Sequence, residues 1–279
     1  MVEPTAKPAR DRVPAVPRTG EDRIAAAFAL RAGRAALMPY LMGGFPDMPT
    51  SRAIGEAYAS NGADLIELGV PYSDPLADGP VIHAAGTEAL KAGATLDGVL
   101  EVGEALAQRV AVVLMCYVNL VLARGPERFA QDAAAAGISG LIVPDLPLEE
   151  APEIETACEE HGLALVPLVA PTTPTARLAT IGARARGFLY TVSVTGTTGE
   201  RERREDAFEA ILSRVREHTD VPIAIGFGIS TPEQAAAAAG AGADGVIVGT
   251  RLVRAAAEAD DPAAATGDLV AGLAAGLIR

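Results

Sequence analysis

The side chain that most clearly suggests catalysis is a carboxylate inside a strongly apolar run. Glu67 lies in the segment Leu65–Val70, whose composition predicts a strand that is buried on both faces. An isolated carboxylate there is costly unless it is paired, solvated by a cavity or protonated. Partial burial also raises its pKa toward neutrality, which suits a general acid–base group. The alternative interpretation is a structural carboxylate with a buried partner, but the position near the end of the strand favours catalysis.

A second carboxylate follows in the next loop. Asp78 belongs to Pro71–Pro80, where three prolines and a glycine restrict the backbone without forming regular structure. A stiff loop that leaves the end of the Glu67 strand can return a carboxylate over the same end of the fold. We therefore predict that Glu67 and Asp78 act as a pair, dividing acid–base transfer from electrostatic stabilisation.

Three strand ends that contain glycine predict a site for a phosphate group. They are the segments 193–199, 226–230 and 248–250. Glycine lets backbone N–H groups approach an anion, and the loops after the last two strands of a barrel commonly hold phosphate together with a helix start. The Thr250 hydroxyl adds a donor. A single glycine more often marks a turn, so the prediction depends on all three occurring together.

A recurring strand–helix pattern must position these residues. Short apolar or β-branched runs, each followed by an Ala-rich stretch of helical periodicity, begin near Ala35, Ala63, Val110, Ile138, Leu163, Gly187, Val221 and Ala243. The segments 61–70 and 241–250 echo each other, and 136–145 is a looser copy. Eight parallel repeats predict an α/β fold, a single (β/α)8 TIM barrel. An open doubly wound sheet is the alternative, but it expects a glycine-rich turn that the segment 38–47 does not supply.

The barrel is predicted to span residues 21–279, and a tail precedes it. Apolar residues at helical spacing from Ile24 to Phe28 predict a short leading N-terminal helix that ends near Gly33. Residues 1–20 are rich in Pro, Ala and Arg, and we expect them to be disordered. They contain no apolar core of a secretory signal. A transit peptide is poorly supported, because acidic residues interrupt the basic character and serine is absent.

Composition argues against several other classes of protein. The formal net charge of −13 disfavours a nucleic-acid-binding surface, and no apolar run approaches the roughly 18 residues of a membrane span. Cys116 and Cys158 lie far apart without Cys or His companions, which indicates buried, reduced thiols in a reducing compartment. The three histidines show no metal-ligand spacing, so no metal site is expected. A cytoplasmic location is the corresponding expectation.

Several segments of this chain resemble the tryptophan synthase alpha chain family. The resembling stretches are Met38–Asp47, Ala63–Pro80, Leu114–Val121, Ile142–Glu149, Tyr190–Gly199, Gly226–Ile229 and Gly249–Thr250. The resemblance as a whole spans roughly residues 21–275. The run ELGVPYSDPLADGP is highly specific to that family. The resemblance implies a lyase that cleaves indole-3-glycerol phosphate into indole and glyceraldehyde 3-phosphate.

The resemblance also implies roles for individual residues. Glu67 is expected to protonate indole C3 and later to take a proton from the glycerol hydroxyl, while ionised Asp78 hydrogen-bonds the indole N–H. The substrate-binding residues that it implies are Gly199, Phe227, Gly228, Gly249 and Thr250 at the phosphate, with Tyr190 and Tyr40 at the indole. Thr250 stands where other members have serine, and Tyr40 where they usually have phenylalanine. Val194 replaces an arginine of the sixth loop, a change expected to alter loop closure or partner signalling.

A partner follows from the same resemblance. Such chains pair with a PLP-dependent beta chain, and the expected assembly is an alpha2-beta2 heterotetramer that the loop Pro71–Pro80 and the sixth-strand loop contact. No cofactor is expected in this chain, because no lysine lies at a suitable position of the barrel mouth.

Three alternative functions stay open. A barrel like phosphoribosylanthranilate isomerase expects a cysteine near the end of the first strand, where this sequence has Met38–Met42. A stand-alone indole-3-glycerol phosphate lyase keeps every catalytic residue and works without a beta chain. A non-catalytic barrel only activates its partner, and the presence of both Glu67 and Asp78 argues against it.

Overall fold

The computed structural model describes residues 19–30, 33–192, 201–226 and 228–278. Within these ranges the strands are β1 (Ala36–Met42), β2 (Leu65–Gly69), β3 (Ala111–Met115), β4 (Gly140–Ile142), β5 (Ala164–Val166), β6 (Leu168–Val169), β7 (Leu189–Val192), β8 (Ile223–Gly226) and β9 (Gly245–Val248). The helices are α1 (Gly20–Ala29), α2 (Met48–Ser60), α3 (Pro80–Lys91), α4 (Leu96–Ala107), α5 (Val118–Arg124), α6 (Pro126–Ala135), α7 (Pro152–Glu160), α8 (Thr175–Arg184), α9 (Arg201–Arg216), α10 (Pro232–Gly240), α11 (Thr250–Glu258) and α12 (Pro262–Leu277).

The strands form a parallel barrel, as the repeating pattern predicts. Their order in the sheet is β5-β4-β3-β2-β1-β9-β8-β7-β6. Each strand begins within two residues of its predicted start, but the fifth predicted strand is divided into β5 and β6. Pro167 lies between these two strands and has no N–H to donate to a ladder. β5 pairs with β4 and β6 pairs with β7, so the chain itself completes the circle at Pro167.

Helix α1 closes the end of the barrel at which the strands begin. Ile24 and Phe28 are buried in the interior core together with Leu65 of β2. The guanidinium of Arg23 donates to the backbone oxygens of Gly137, Ala107 and Val110, which lie on the same end. The predicted leading helix is therefore present and covers the end of the barrel at which the strands begin, here called the barrel floor.

The bounds of α1 differ slightly from those predicted. The helix ends at Ala29 with Leu30 as its C-cap, before the predicted stop at Gly33. Its N-terminus is capped by the side chain of Thr19, which accepts a hydrogen bond from the Asp22 N–H. Thr19 and Gly20 thus belong to the helix rather than to the predicted tail. Residues 1–18 lie outside the described ranges, and their disorder stays a prediction.

The echo between two sequence segments has a structural cause at the barrel floor. Asp64 exchanges two hydrogen bonds with Leu37 of the preceding strand: its N–H donates to the Leu37 oxygen at 2.9 Å, and its carboxylate accepts the Leu37 N–H at 2.7 Å. Asp244 repeats the exchange with Ile223, at 2.8 Å and 2.9 Å. Both carboxylates also bind an arginine, Arg34 in the case of Asp64. Each aspartate therefore fixes the register of two adjacent strands.

Replacing Asp64 by asparagine is expected to lower the free energy of unfolding by about 1–3 kcal/mol, the usual contribution of a hydrogen bond to a charged group. The substitution keeps the shape but removes the charge that binds the Arg34 guanidinium at 2.6 Å. Urea denaturation of the full chain measures the change. Asp260→Asn is the matched control, because Asp260 is exposed and loses the same charge. Equal stabilities of the two variants would contradict the assigned role.

Candidate active site

Glu67 lies inside the barrel, near the end at which the strands terminate. Leu65, two residues earlier on β2, packs in the interior core. Because alternate residues of a strand project to the same face, Glu67 also points inward. It pairs in register with Tyr40 of β1 and Val113 of β3, and it is 1% exposed. Among the described residues, its Oε2 atom has no hydrogen-bond partner.

The Glu67 carboxyl is held in its protonated form by its surroundings. Burial, and after it the negative charge of Asp78, raise the pKa of Glu67 to about 8. At neutral pH this group therefore has a proton to donate, and once it is ionised it can take a proton back. A buried acid with an unpartnered oxygen can exchange a proton with a ligand that supplies the missing hydrogen-bond partner. The structural alternative, a buried partner that neutralises Glu67, finds no support among the described residues.

Asp78 is held near Glu67 by a tyrosine that follows the third strand. The hydroxyl of Tyr117 donates to Asp78 Oδ1 at 2.9 Å and accepts the N–H of Ala77 at 3.0 Å. Burial raises the pKa of Asp78, whereas the hydrogen bond from Tyr117 and the proximity of His83 lower it. The stiff loop after β2 thus places a second carboxylate close enough to influence Glu67 electrostatically.

Sequence reasoning missed Tyr117. This residue is 4% exposed and forms the N-cap of α5, directly after the third strand. A polar aromatic residue at the C-terminal end of a barrel strand is a signal that could have identified it. The neighbouring Val118 N–H donates to Asp145 Oδ1 at 2.9 Å, so Asp145, in the loop after β4, orients the start of α5.

Tyr40 and Tyr190 complete the wall around Glu67. Both are buried, and burial together with the charge of Glu67 raises the pKa of each phenol well above its ordinary value. Each hydroxyl packs against a glycine: that of Tyr40 against Gly69, and that of Tyr190 against Gly226. The structure thus brings both predicted indole-contacting residues together with both predicted carboxylates.

The described part of the predicted phosphate cradle lies at the same rim. Gly228 has φ of +76°, a conformation that favours glycine, in the loop after β8. Gly249 is the N-cap of α11, and Thr250 is the first residue of that helix. The Cα of Gly249 lies beside the side chain of Tyr40, so the helix start borders the Glu67 pocket. Backbone N–H groups at a helix N-terminus favour an anion.

Several predicted residues fall outside the described ranges. Gly199 and Phe227, both assigned to the phosphate, are among them, and so is Val194 of the sixth loop. Their roles stay predictions.

The other composition-based expectations concern metal, thiols and membranes. Within the described residues, no cluster of three or more His, Cys, Asp or Glu side chains is arranged to hold a metal ion. Cys116 and Cys158 are both free and buried, as the sequence predicts. Across the same ranges, no helix has the length and apolar character needed to cross a bilayer.

Comparison with known proteins gives one consistent family. The model of the tryptophan synthase alpha chain family matches residues 27–273. The tryptophan synthase alpha chain of Synechococcus sp. (strain CC9902) is 50% identical over 226 residues, which cover 80% of this chain and 84% of the relative. That of Methanosarcina mazei is 50% identical over 226 residues, covering 81% and 83%.

Solved structures give the same result. Tryptophan synthase from M. tuberculosis, in an open form with BRD0059 bound, superposes with a TM-score of 0.84 at 41% identity and covers 91% of this chain and 98% of the solved chain. Tryptophan synthase subunit alpha from Legionella pneumophila superposes with a TM-score of 0.84 at 35% identity, covering 91% and 98%.

Proposed function

Because this chain belongs to the tryptophan synthase alpha chain family, we propose that its pair of carboxyl groups, Glu67 and Asp78, performs the cleavage that defines the family. The chain is a carbon–carbon lyase of tryptophan biosynthesis, which converts indole-3-glycerol phosphate into indole and glyceraldehyde 3-phosphate. The observation that supports the assignment of residues best is the buried Glu67 carboxyl, whose Oε2 has no hydrogen-bond partner among the described residues, close to the charge of Asp78.

Glu67 supplies and recovers the proton. An indole carbanion is a poor leaving group, so the protonated Glu67 first delivers its proton to indole C3, which gives an iminium at the ring nitrogen. The bond between C3 and the glycerol carbon then breaks, and its electron pair neutralises the iminium. The hydroxyl on that glycerol carbon becomes a carbonyl and returns its proton to the Glu67 carboxylate. The protons and electrons balance, and the acid is regenerated.

Asp78 stabilises the positive charge that develops on the ring nitrogen. Its carboxylate, oriented by Tyr117, accepts a hydrogen bond from the indole N–H and favours the iminium electrostatically. Tyr40 contacts the indole ring from β1, beside the Glu67 strand, and Tyr190 contacts it from β7. The two carboxyl groups therefore do different work, because burial keeps Glu67 protonated while the hydrogen bond from Tyr117 favours the ionised form of Asp78.

The phosphate is bound by backbone rather than by basic side chains. Gly228, Gly249 and Thr250 present N–H groups and one hydroxyl at the rim, and we assign Gly199 and Phe227 to the same cradle from the family resemblance. The net charge of −13 repels a phosphorylated substrate at long range, so the phosphate must be bound by the dipoles of nearby backbone N–H groups.

Thr250→Ala is expected to raise KM for indole-3-glycerol phosphate by about 10-fold, since one hydrogen bond to a charged group is lost. The turnover number should change much less, because the phosphate is remote from the bond that breaks. Steady-state kinetics of indole release measures both. Thr250→Ser keeps the hydroxyl and is the control. Equal KM values for Thr250→Ala and the wild type would remove Thr250 from the cradle.

The partner is a tryptophan synthase beta chain, and we propose an alpha2-beta2 heterotetramer in the cytoplasm. The exposed apolar side chains near the site support a protein contact there: Leu76 in the loop after β2 is 87% exposed, and Leu122 on α5 is 54% exposed. The cleavage uses no cofactor in this chain, and PLP belongs to the beta chain.

One experiment tests the function and its main alternatives. Indole release from indole-3-glycerol phosphate is followed with the full chain alone and with the beta chain, and the mass of the mixture is measured by light scattering. Turnover that the beta chain stimulates, with a mass of two copies of each chain, supports the proposal. Equal turnover without complex formation identifies a stand-alone lyase. Absence of indole under both conditions, with complex formation, supports a non-catalytic barrel.

A further inference from the structure

We propose that Tyr117 is a positioning residue for the cleavage: together with Tyr72 and Asn119 it forms a clamp that holds the Asp78 carboxylate at one place above Glu67. Three contacts define this clamp, and all of them join the loop after β2 to the junction between β3 and α5. The inference rests on the proposed use of Asp78 in the reaction.

The first contact fixes Asp78 and its backbone together. A single hydroxyl, that of Tyr117, donates to Asp78 Oδ1 at 2.9 Å and accepts the Ala77 N–H at 3.0 Å. Because this oxygen donates in one bond and accepts in the other, the direction of its proton is settled toward the carboxylate. Asp78 therefore presents its second oxygen to a ligand while Oδ1 is occupied.

The second and third contacts support the ring of Tyr117 from the side. The rings of Tyr72 and Tyr117 stack with centroids 5.3 Å apart and an interplanar angle of 26°. The Tyr72 hydroxyl accepts a hydrogen bond of 2.7 Å from Asn119 Nδ2. Stacked aromatic pairs contribute beyond their buried area, so the clamp resists displacement of the loop.

The base of the clamp is part of the barrel itself. β2 and β3 pair in parallel, and the ladder continues past β2, where the Val70 N–H donates to the Met115 oxygen at 2.8 Å. The backbone at Tyr117 is held further by the bond between Val118 and Asp145. The loop that carries Asp78 is therefore held against the barrel both where it leaves β2 and at Asp78 itself.

The clamp also sets the charge of Asp78. The titratable groups around this carboxylate are Glu67 from β2, Tyr40 from β1, His83 from α3 and Tyr117 from the junction of β3 and α5. Burial raises the pKa of Asp78, and the hydrogen bond from Tyr117 is the largest influence that lowers it. Loss of that bond should raise the pKa, so that the carboxylate is protonated at a higher pH.

Tyr117→Phe in the full chain tests this inference. The acidic limb of the pH profile of kcat/KM is expected to move to higher pH, because Asp78 must be ionised and loses the bond that favours ionisation. At neutral pH kcat/KM should fall by about 10-fold, with most of the loss in kcat. Tyr72→Leu removes the stacked ring and should move the acidic limb to higher pH as well, but by less than Tyr117→Phe does.

Two controls separate positioning from general stability. Tyr58→Phe removes another buried tyrosine hydroxyl, on α2, and should leave the acidic limb in place. Tyr72→Phe keeps the stacked ring and loses the bond from Asn119, so its limb should move less than that of Tyr72→Leu. If Tyr117→Phe fails to fold, an unmoved limb in Tyr72→Leu overturns the inference.

The failure of this inference can be told apart from failure of the proposed function. If Asp78→Asn retains wild-type turnover, the role of Asp78 is wrong. If Asp78→Asn is inactive while Tyr117→Phe keeps both the wild-type limb and the wild-type kcat, the role of Asp78 stands and the clamp is overturned.

Discussion

Glu67→Gln is expected to lower the turnover of indole-3-glycerol phosphate by about 10²–10⁴-fold, the usual contribution of general acid–base catalysis. Glutamine fills the same space in the barrel but has no proton to deliver to indole C3. KM should change little, because the phosphate and the indole ring keep their contacts. Single-turnover measurements of indole release, combined with titration of substrate binding, separate the two effects. Wild-type turnover in this variant would remove Glu67 from the mechanism.

The pH profile gives an independent check on the same residue. Because the pKa of Glu67 is raised to about 8, kcat/KM of the wild type should fall as pH rises through that value and the donor ionises. The same shift affects stability: the folded state binds the Glu67 proton more tightly than the unfolded chain does, so the contribution of Glu67 to the free energy of unfolding is present below its ordinary pKa and is lost as pH rises to about 8. Glu67→Gln should flatten this part of the stability curve.

Asp78→Asn is expected to reduce kcat by about 10²–10³-fold, comparable with the loss of one preorganised electrostatic contact at an active site. The amide keeps the size of the side chain but loses the charge that stabilises the iminium nitrogen. The charge of Asp78 also raises the pKa of Glu67, so the alkaline limb should move to lower pH in this variant. Initial rates of indole release across the pH range measure both changes.

Asp74→Asn is the matched control for Asp78. Asp74 lies in the same loop, carries the same charge and is exposed, with its carboxylate bound to the hydroxyl of Ser73. It should retain nearly wild-type turnover in the full chain alone. If the two variants lose activity equally, the effect belongs to the loop as a whole and the specific role of Asp78 is contradicted.

The barrel could be predicted from the sequence because local signals recur at every repeat. Each run that predicted a strand was bounded by glycine, proline or a polar residue, and the structure places the strands within two residues of those starts. The inward direction of Glu67 follows from strand alternation and from its place near the end of an apolar run. Asp78 could be placed at the same rim because a short stiff loop limits where its carboxylate can lie.

Contacts between distant parts of the chain could not be predicted in the same way. Tyr117 lies 39 residues from Asp78, and their meeting depends on the side chains of two loops rather than on periodicity. The division of the fifth strand at Pro167 depends on which neighbour each half pairs with. Helix α1 ends at Ala29, before Gly33, so the glycine did not mark the end of the helix.

The position of the Tyr40 ring depends on a glycine in the adjacent strand. The hydroxyl of Tyr40 occupies the place where a side chain on Gly69 would be, so a single methyl group there would overlap with the phenol. The displaced ring would have to shift within the same barrel mouth, where Glu67 lies in register beside Tyr40. The shape of the pocket beside Glu67 thus depends on the absence of a Cβ atom at position 69.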